Sequence, residues 1–341
     1  MSVEASVNEK GAILLGKHVA CDSYDEKRPL RVVTHVHYDH TKGLQQSLRS
    51  CQAVVMTPAT RDLLEVMQSP LFLMMGNVKT LAYEEPFEFN NECLTLHRAD
   101  HIIGAAQVLV EDDETGTRYV YTGDFRPSDT PILDADVLVI ESTYGNPFQV
   151  RPFGRVVENA FIDLVETGLQ HGSVYVFGYH GKLQELMQIL HSNKVKAPFV
   201  APEKVFQVSK VCEKHGMHLG KVLLSSEEEA KAILEHNEPC VAFYHMNSRR
   251  YVARNSFRIS VSGWEFSCPR RQISDNEHVV ALSDHADFNG LIRYVRESKP
   301  KLVITDNYRV GDATILAREI TKRLGIEARA MPQKRLDVNL G

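Results

Sequence analysis

Residues 35–40 read His-Val-His-Tyr-Asp-His, three of the chain's fifteen histidines within six positions and joined by a carboxylate. The run before them, Leu30-Arg31-Val32-Val33-Thr34, is apolar and β-branched like a buried strand. A strand that ends in His35, His37, Asp39 and His40 delivers imidazole nitrogens and carboxylate oxygens to one point. That donor mix suits zinc or a similar divalent ion. A polar loop carrying surface histidines is the bland alternative.

Two more candidate ligands stand in similar settings downstream. His101 lies in Ala99-Asp100-His101-Ile102-Ile103-Gly104-Ala105, a turn leading into a predicted strand at 105–110. Asp124 lies in Tyr121-Thr122-Gly123-Asp124-Phe125, at the end of another predicted strand. Glycine lets the backbone turn tightly beside the polar residue in both places.

A chain of 341 residues can hold a sizeable core, in two domains or in one domain with a large insertion. Its 43% hydrophobic and 24% charged residues describe an ordinary globular protein. The six cysteines are scattered with no Cys-x-x-Cys pair, which argues against a disulfide framework and against a cysteine zinc site. Residues 1–10 show no basic region followed by an apolar run, and no stretch approaches the length of a membrane span. A reduced, cytoplasmic setting is the expectation. The net charge of −5 carries no global signature of nucleic-acid binding, yet it leaves room for a local basic groove.

From residue 30 to 145 short β-like runs dominate, at 31–34, 53–57, 94–97, 105–110, 119–122 and 137–141, with a short helix near 60–68. After Gly145 the pattern turns to strand-helix alternation, which predicts a second α/β unit with a parallel sheet. Strands are expected at 173–178, 199–201, 241–245 and 259–262, and helices at 182–191, 203–215 and 227–236. From 279 onward come a strand (279–283), a helix (288–298), a strand (302–305) and a helix (313–324). Residues 146–274 hold 16 Lys/Arg against 12 Asp/Glu, a local +4, so the remainder carries −9. A middle segment more basic than its flanks fits an insertion that meets a polyanion while the flanks hold a cation.

The order His-x-His-x-Asp-His, then His in a His-x-x-Gly turn, then Asp in Thr-Gly-Asp-Phe, resembles the metallo-β-lactamase superfamily. The continuation resembles its β-CASP nucleases: Asp136-Val-Leu-Val-Ile-Glu-Ser-Thr-Tyr-Gly145 matches their first extra motif through Glu141, and Ser283-Asp-His-Ala-Asp-Phe-Asn-Gly290 their second through His285. Ser262-Gly263-Trp264 is similar to exonucleases encoded beside DNA ligases and to relatives of the mRNA 3′-end processing endonuclease. The likeness runs from about Asp22 to Asp306. It implies an α/β fold, a four-layered αββα sandwich from residues 1–145 and 275–341. Residues 146–274 would form an inserted α/β cap, with nucleic acid entering between the two.

The resemblance also implies roles. His35, His37 and His101 would hold one zinc, Asp39 and His40 a second, and Asp124 would bridge the pair, with Mn2+ or another divalent ion as substitutes. His285 would be the general acid, oriented by Glu141. Asp22 would fix a ligand from behind. The family's third extra motif supplies a histidine or a valine where this chain has Asp306, either a further ligand or the cap of the next turn. Lys182, beside Gly181 at a predicted helix start, is a candidate phosphate contact. Arg249 and Arg250, with Tyr251 close by, could track a nucleic-acid backbone, or form a solvated strand face. Ser262 joins this binding set.

The expected activity is metal-dependent hydrolysis of phosphodiester bonds in single-stranded DNA or RNA, as a 3′ exonuclease in repair or 3′-end processing. A DNA ligase or RNA-processing factors are the expected partners, and no membrane. A small-molecule ester or thioester hydrolase of the same superfamily and a non-catalytic nucleic-acid-binding scaffold are the alternatives.

Overall fold

The computed structural model describes residues 4–68 and 76–333. The chain divides into two compact units, Met1–Val150 together with His285–Gly341, and the inserted Arg151–Asp284.

The first unit is built on two sheets. One follows chain order through Ala5–Val7, Ile13–Leu15, Val19–Cys21, Leu30–Val32, Ala53–Met56 and Val78–Thr80. Its first three strands are antiparallel and its last four parallel. The other runs in the order Glu327–Met331, Leu302–Asp306, Val137–Ile140, Thr117–Tyr121, Ala106–Asp112, Glu92–Arg98 and Phe87–Phe89. Its first four strands are parallel and the rest antiparallel.

Period-two alternation decides which side chains turn inward. Along Glu92–Arg98, Leu94 and Leu96 are buried while Cys93, Thr95 and His97 are only partly so. Leu94, Leu96, Val108 and Val139 share one apolar cluster with Val19, Leu30 and Val55, so the two sheets face each other across it. Each such Val or Leu contributes about 1.5–3 kcal/mol by leaving water. Val137–Ile140 is buried on both faces, which is why it reads as an unbroken apolar run. Helix Ala313–Leu324 packs on Leu302–Asp306 and Glu327–Met331 and ends at Gly325 in the left-handed region. Helix Phe288–Ser298 starts at Asp287, whose carboxylate accepts the Gly290 N–H at 2.9 Å.

This arrangement brings the candidate residues to one edge. Glu92–Arg98, Thr117–Tyr121, Val137–Ile140 and Leu302–Asp306 point the same way. Their carboxyl ends lead to His101, to Asp124, to Glu141 and to Asp306. Carboxyl ends of parallel strands are where open α/β sheets present ligands.

The inserted unit is a seven-stranded sheet in the order Val222–Leu224, Phe199–Ala201, Val241–His245, Val174–Gly178, Phe257–Val261, Glu277–Val280 and Arg270–Ser274. All neighbours are parallel except the last pair. The edge strand Arg270–Ser274 is exposed along its length, and Arg270 and Arg271 guard it against pairing with another chain. The strand expected at 279–283 is found at Glu277–Val280, hydrogen-bonded to Phe257–Val261. That pairing carries the insertion past 274, to Asp284. Helix Val156–Leu169, absent from the sequence reading, buries Val157, Phe161, Leu164 and Val165. Among the described residues no helix is long and apolar enough to cross a membrane.

Gly123 has φ +56°, and a Cβ there would stand 2.8 Å from the carbonyl oxygen of Ala106. Gly123→Ala is expected to lower stability by about 1–3 kcal/mol and to displace Asp124 beside it. Thermal unfolding together with metal content by elemental analysis checks this; an unchanged midpoint and an unchanged metal content refute it.

Candidate metal centre

Strand Leu30–Val32 delivers His35 through Val33 and Thr34, and a single 3-10 turn at Tyr38–His40 brings Asp39 and His40 back toward it. His35 and His40 are fully buried, with ring centroids 3.9 Å apart. Asp22 fixes the turn from behind. Its carboxylate accepts the Thr34 N–H at 2.9 Å and the Thr34 hydroxyl at 2.8 Å, and stands 2.7 Å from His40 Nδ1. Because the Thr34 hydroxyl proton goes to Asp22, its oxygen is left to accept from His35 Nδ1 at 3.1 Å. Both rings are thereby held with Nδ1 as donor and the Nε2 lone pair facing the cluster.

Those Nε2 atoms of His35 and His40 are buried and form no hydrogen bond. Buried polar atoms are ordinarily satisfied, and here carboxylate oxygens crowd the two Nε2 atoms in a way that suits a shared cation. Asp124 Oδ2 lies 3.2 Å from His40 Nε2, 3.7 Å from His35 Nε2 and 3.9 Å from His101 Nε2. Asp39 Oδ2 lies 3.4 Å from His40 Nε2, and His37 Nδ1 lies 3.0 Å from His101 Nε2. Donors that share one tetrahedral zinc at about 2.0–2.2 Å sit about 3.3–3.5 Å from each other. The donor atoms of His35, His37 and His101 form one such group, and those of His35, His40 and Asp124 an adjoining one, each within 4.8 Å. The residues fit one or two divalent cations.

The local field favours the same occupant. Burial, reinforced by His40, His101 and His37, pushes the His35 imidazole well below its usual pKa, which keeps it a neutral donor. Burial also works against a charged His40, but the carboxylates of Asp124, Asp22 and Asp39 overcome it and hold its pKa well up. Three carboxylates that stabilise a proton on that ring would stabilise a cation at its Nε2.

Beside this cluster stands His285, at the end of the loop before helix Phe288–Ser298. Its Nδ1 is 2.9 Å from Glu141 Oε2 and 3.3 Å from the Thr143 hydroxyl. Glu141 is buried, and its other oxygen accepts the Phe125 N–H at 3.0 Å. Donor atoms of Asp124, Glu141 and His285 also lie within 4.8 Å of one another, so the dyad adjoins the donor cluster.

The structure does not bring Asp306 into this group. Its Oδ1 accepts the Tyr308 N–H at 2.9 Å, and its Oδ2 is paired with Arg309 at 2.7 Å. Each oxygen carries one hydrogen bond, an arrangement that matches the turn cap among the two sequence alternatives. Arg309, which the sequence reading passed over, spends its remaining NH2 protons on the carbonyls of Asp39 at 3.3 Å and Gly11 at 3.4 Å. Arg31, fully buried, likewise donates to the carbonyls of Val32, His40 and Lys42. Two guanidiniums therefore brace the ligand turn through its backbone. The one sequence sign of Arg31 was a charge in the middle of a buried strand.

In the inserted unit the candidates are dispersed. Lys182 is buried and ion-paired to Glu185 at 2.7 Å, so it does not present the open phosphate seat expected of it. Arg249 is bonded to Glu277. Arg250 is exposed, 4.7 Å above the Tyr251 ring. The Ser262 hydroxyl accepts the Trp264 N–H at 3.1 Å.

Fold and cluster together define a two-unit, mixed α/β protein with a candidate metal centre at the strand ends. No protein-family model matches the chain. It is 40% identical over 139 residues to an uncharacterised protein in the lig 3′ region of Acidianus ambivalens, covering 40% of this chain and 99% of that one. A probable DNA ligase of Opitutus terrae is 28% identical over 88% of this chain and 28% of its own length. An RNase J-like protein of Methanocaldococcus jannaschii is 27% identical over 56% of this chain and 52% of its own. The chain thus spans about half, or less, of the latter two. In fold it is similar, with a TM-score of 0.61 and 13% identity, to a solved protein of unknown function from Enterococcus faecalis V583, covering 90% of this chain and 80% of that one. The chain belongs to the β-CASP family of the metallo-β-lactamase superfamily.

Two substitutions separate support from ligation. Asp306→Asn, which keeps an acceptor for the Tyr308 N–H but turns an amide NH2 toward Arg309, is expected to leave metal content per chain unchanged while lowering the unfolding midpoint. Loss of a metal equivalent would make Asp306 a ligand after all. Asp22→Asn tolerates the left-handed backbone there (φ 61°) but weakens the hold on His40. It is expected to reduce metal affinity about 10–100-fold by competition with a chelator; affinity within twofold of the parent would rule out the buttressing role.

Proposed function

We propose that this chain is a metal-dependent nuclease that hydrolyses phosphodiester bonds of single-stranded nucleic acid, with DNA as the preferred substrate and the 3′ end as the point of attack. One observation carries the reading: two adjoining donor groups that share His35, one of which includes Asp124, lie against a separate His285–Glu141 dyad. A thioester or ester hydrolase needs the first feature only. The likeness to part of a probable DNA ligase favours DNA, with a ligase as working partner; the likeness to an RNase J-like protein makes RNA the competing outcome.

In this reading the first unit is the αββα metallo-β-lactamase domain, its two facing sheets forming the inner layers, and Arg151–Asp284 is the β-CASP cap. His35, His37 and His101 would hold one zinc, and Asp39 and His40 the second, with Asp124 between them. When bound, the ions supply Lewis acidity and neutralise charge on the phosphodiester. His285 then serves the leaving group. With Nδ1–H donated to Glu141, the transferable proton sits on Nε2 and passes to the departing sugar oxygen. Glu141, itself fixed by the Phe125 N–H, keeps the ring aligned and offsets the imidazolium charge. Arg249, Arg250 and Ser262 would contact nucleic acid, with Tyr251 able to stack a base. The setting proposed is the cytoplasm.

End-labelled single- and double-stranded DNA and RNA of matched sequence test this. Mononucleotides are expected from single-stranded DNA, with release abolished by a chelator and restored by Zn2+ or Mn2+. His285→Ala is expected to lower kcat about 10²–10⁴-fold while metal content stays at the parent value. Metal-replete protein that leaves every polynucleotide whole would overturn the proposal, and loss of metal in the variant would make His285 a ligand rather than an acid.

A further inference from the structure

Within the hexapeptide one side chain has no structural employment. Tyr38 stands between His37 and Asp39 with 80% of its surface exposed, whereas His35, Val36 and His40 are buried. Among the described residues none stacks on its ring, lies over it as a cation or bonds its hydroxyl. The surroundings are the reverse of loose. The Tyr38 carbonyl accepts both the Thr41 N–H and the Thr41 hydroxyl at 3.2 Å, and the His40 N–H bonds the His37 carbonyl at 3.0 Å. Arg309 and Arg31 hold the next two carbonyls, those of Asp39 and His40. An exposed ring on a mobile loop would need no explanation. An exposed ring on a doubly braced turn, flanked on both sides by donor residues, is presented at a fixed place.

What it is presented to follows from reach. Its neighbours His37 and Asp39 both belong to the candidate donor set, so a phosphate held there would bring its own base near the root of this ring. The rim adds a cation. Lys42, four residues on, lies 5.1 Å from the centre of the half-buried Tyr308 ring and 3.4 Å from its hydroxyl. Aromatic plus cation is the pairing that single-stranded nucleic acid uses, because every base has a π-face and every linkage a charge. A small anionic ester would use only the Tyr38 hydroxyl and leave the ring face idle.

We infer that Tyr38 is a specificity-determining residue: its ring stacks on the nucleobase flanking the scissile linkage, and so selects nucleotides over base-free phosphodiesters. The inference rests on the nuclease reading above. Stacking of one base is worth a factor of about ten to a hundred in affinity, whatever the base. The phenol oxygen plays no part in it.

The test uses metal-replete full-length protein and two single-stranded oligonucleotides that differ only in an abasic residue beside the linkage cut. KM is measured on cleavable strands, and Kd by fluorescence anisotropy on phosphorothioate-protected copies. Tyr38→Ala is expected to raise KM and Kd at least tenfold on the intact strand, with metal content unchanged. Tyr38→Phe and Tyr38→Trp restore both values. On the abasic strand parent and Tyr38→Ala share one KM and one Kd. An alanine variant that matches the parent on the intact strand, or that loses as much on the abasic one, overturns the inference. Base-dependent binding that Tyr38→Ala abolishes, in protein that cuts nothing, keeps the inference and overturns the nuclease reading. Protein that neither cuts nor binds either strand overturns both.

Discussion

Asp22 follows strand Val19–Cys21 in the left-handed conformation, which aspartate tolerates because its short polar side chain finds partners nearby. From there two oxygens hold Thr34 by its N–H and its hydroxyl, and His40 by Nδ1. Through Thr34 the same carboxylate sets the tautomer of His35. Burial opposes ionisation of Asp22, yet the charge of His40, its hydrogen bond, Arg309 and the Thr34 backbone hold the carboxyl below its usual pKa. One buried anion therefore decides where two imidazoles point, and the geometry at Asp39 and Asp124 presupposes it.

Buried anions need buried cations or the turn would repel itself. Arg31 and Arg309 supply them, and both act on carbonyls of the ligand turn rather than on its side chains. Burial lowers the Arg31 pKa to about 10, still far above the range in which it would lose its charge. A guanidinium suits the task because its fork bonds several carbonyls in fixed directions, which an ammonium cannot copy. Arg309 has Asp306 as its anion, both nearly inaccessible. Removing one member of such a pair costs about 3–5 kcal/mol, since the survivor stays buried and uncompensated. Asp306 is thus engaged by Arg309 and by the Tyr308 N–H.

The sequence located elements and candidate residues through strand ends and periodicity, whereas the partner that each charged side chain takes, even three residues away, is set by the folded geometry. The hexapeptide, His101 and Asp124 stand at strand ends, the last two beside turn glycines, which is how the sequence singles them out, whereas Glu141 and His285 are singled out only by the resemblance to the family's motifs. Helices 288–298 and 313–324 match their apolar periodicity residue for residue. Asp306 could not be judged in this way, because its role is fixed by Arg309 three residues later and by the Asp39 carbonyl far away in sequence. Lys182 looked like a phosphate contact until Glu185, on the next turn of its own helix, claimed it. Helix Val156–Leu169 carries Val157, Phe161, Leu164 and Val165 at helical spacing, a periodicity that the sequence reading passed over. The exposed edge strand Arg270–Ser274 has no apolar alternation to detect.

The four clustered imidazoles are not equivalent, and the difference follows from what lies behind each. His35, surrounded by three other rings, is driven neutral; His40, faced by three carboxylates, is driven toward the charged form. A proton on His40 and a divalent cation at its Nε2 therefore compete for the same field, and the cation brings twice the charge. Whatever binds the folded cluster and not the unfolded chain stabilises the fold by mass action. As acidity rises, protonation of His40 would oppose a cation at its Nε2, and any stabilisation by that cation would weaken. The His35, His37 and His101 side, poor in carboxylates, depends less on that competition. A cation held at His40 would therefore be the more sensitive to acid, with His35 common to both donor groups.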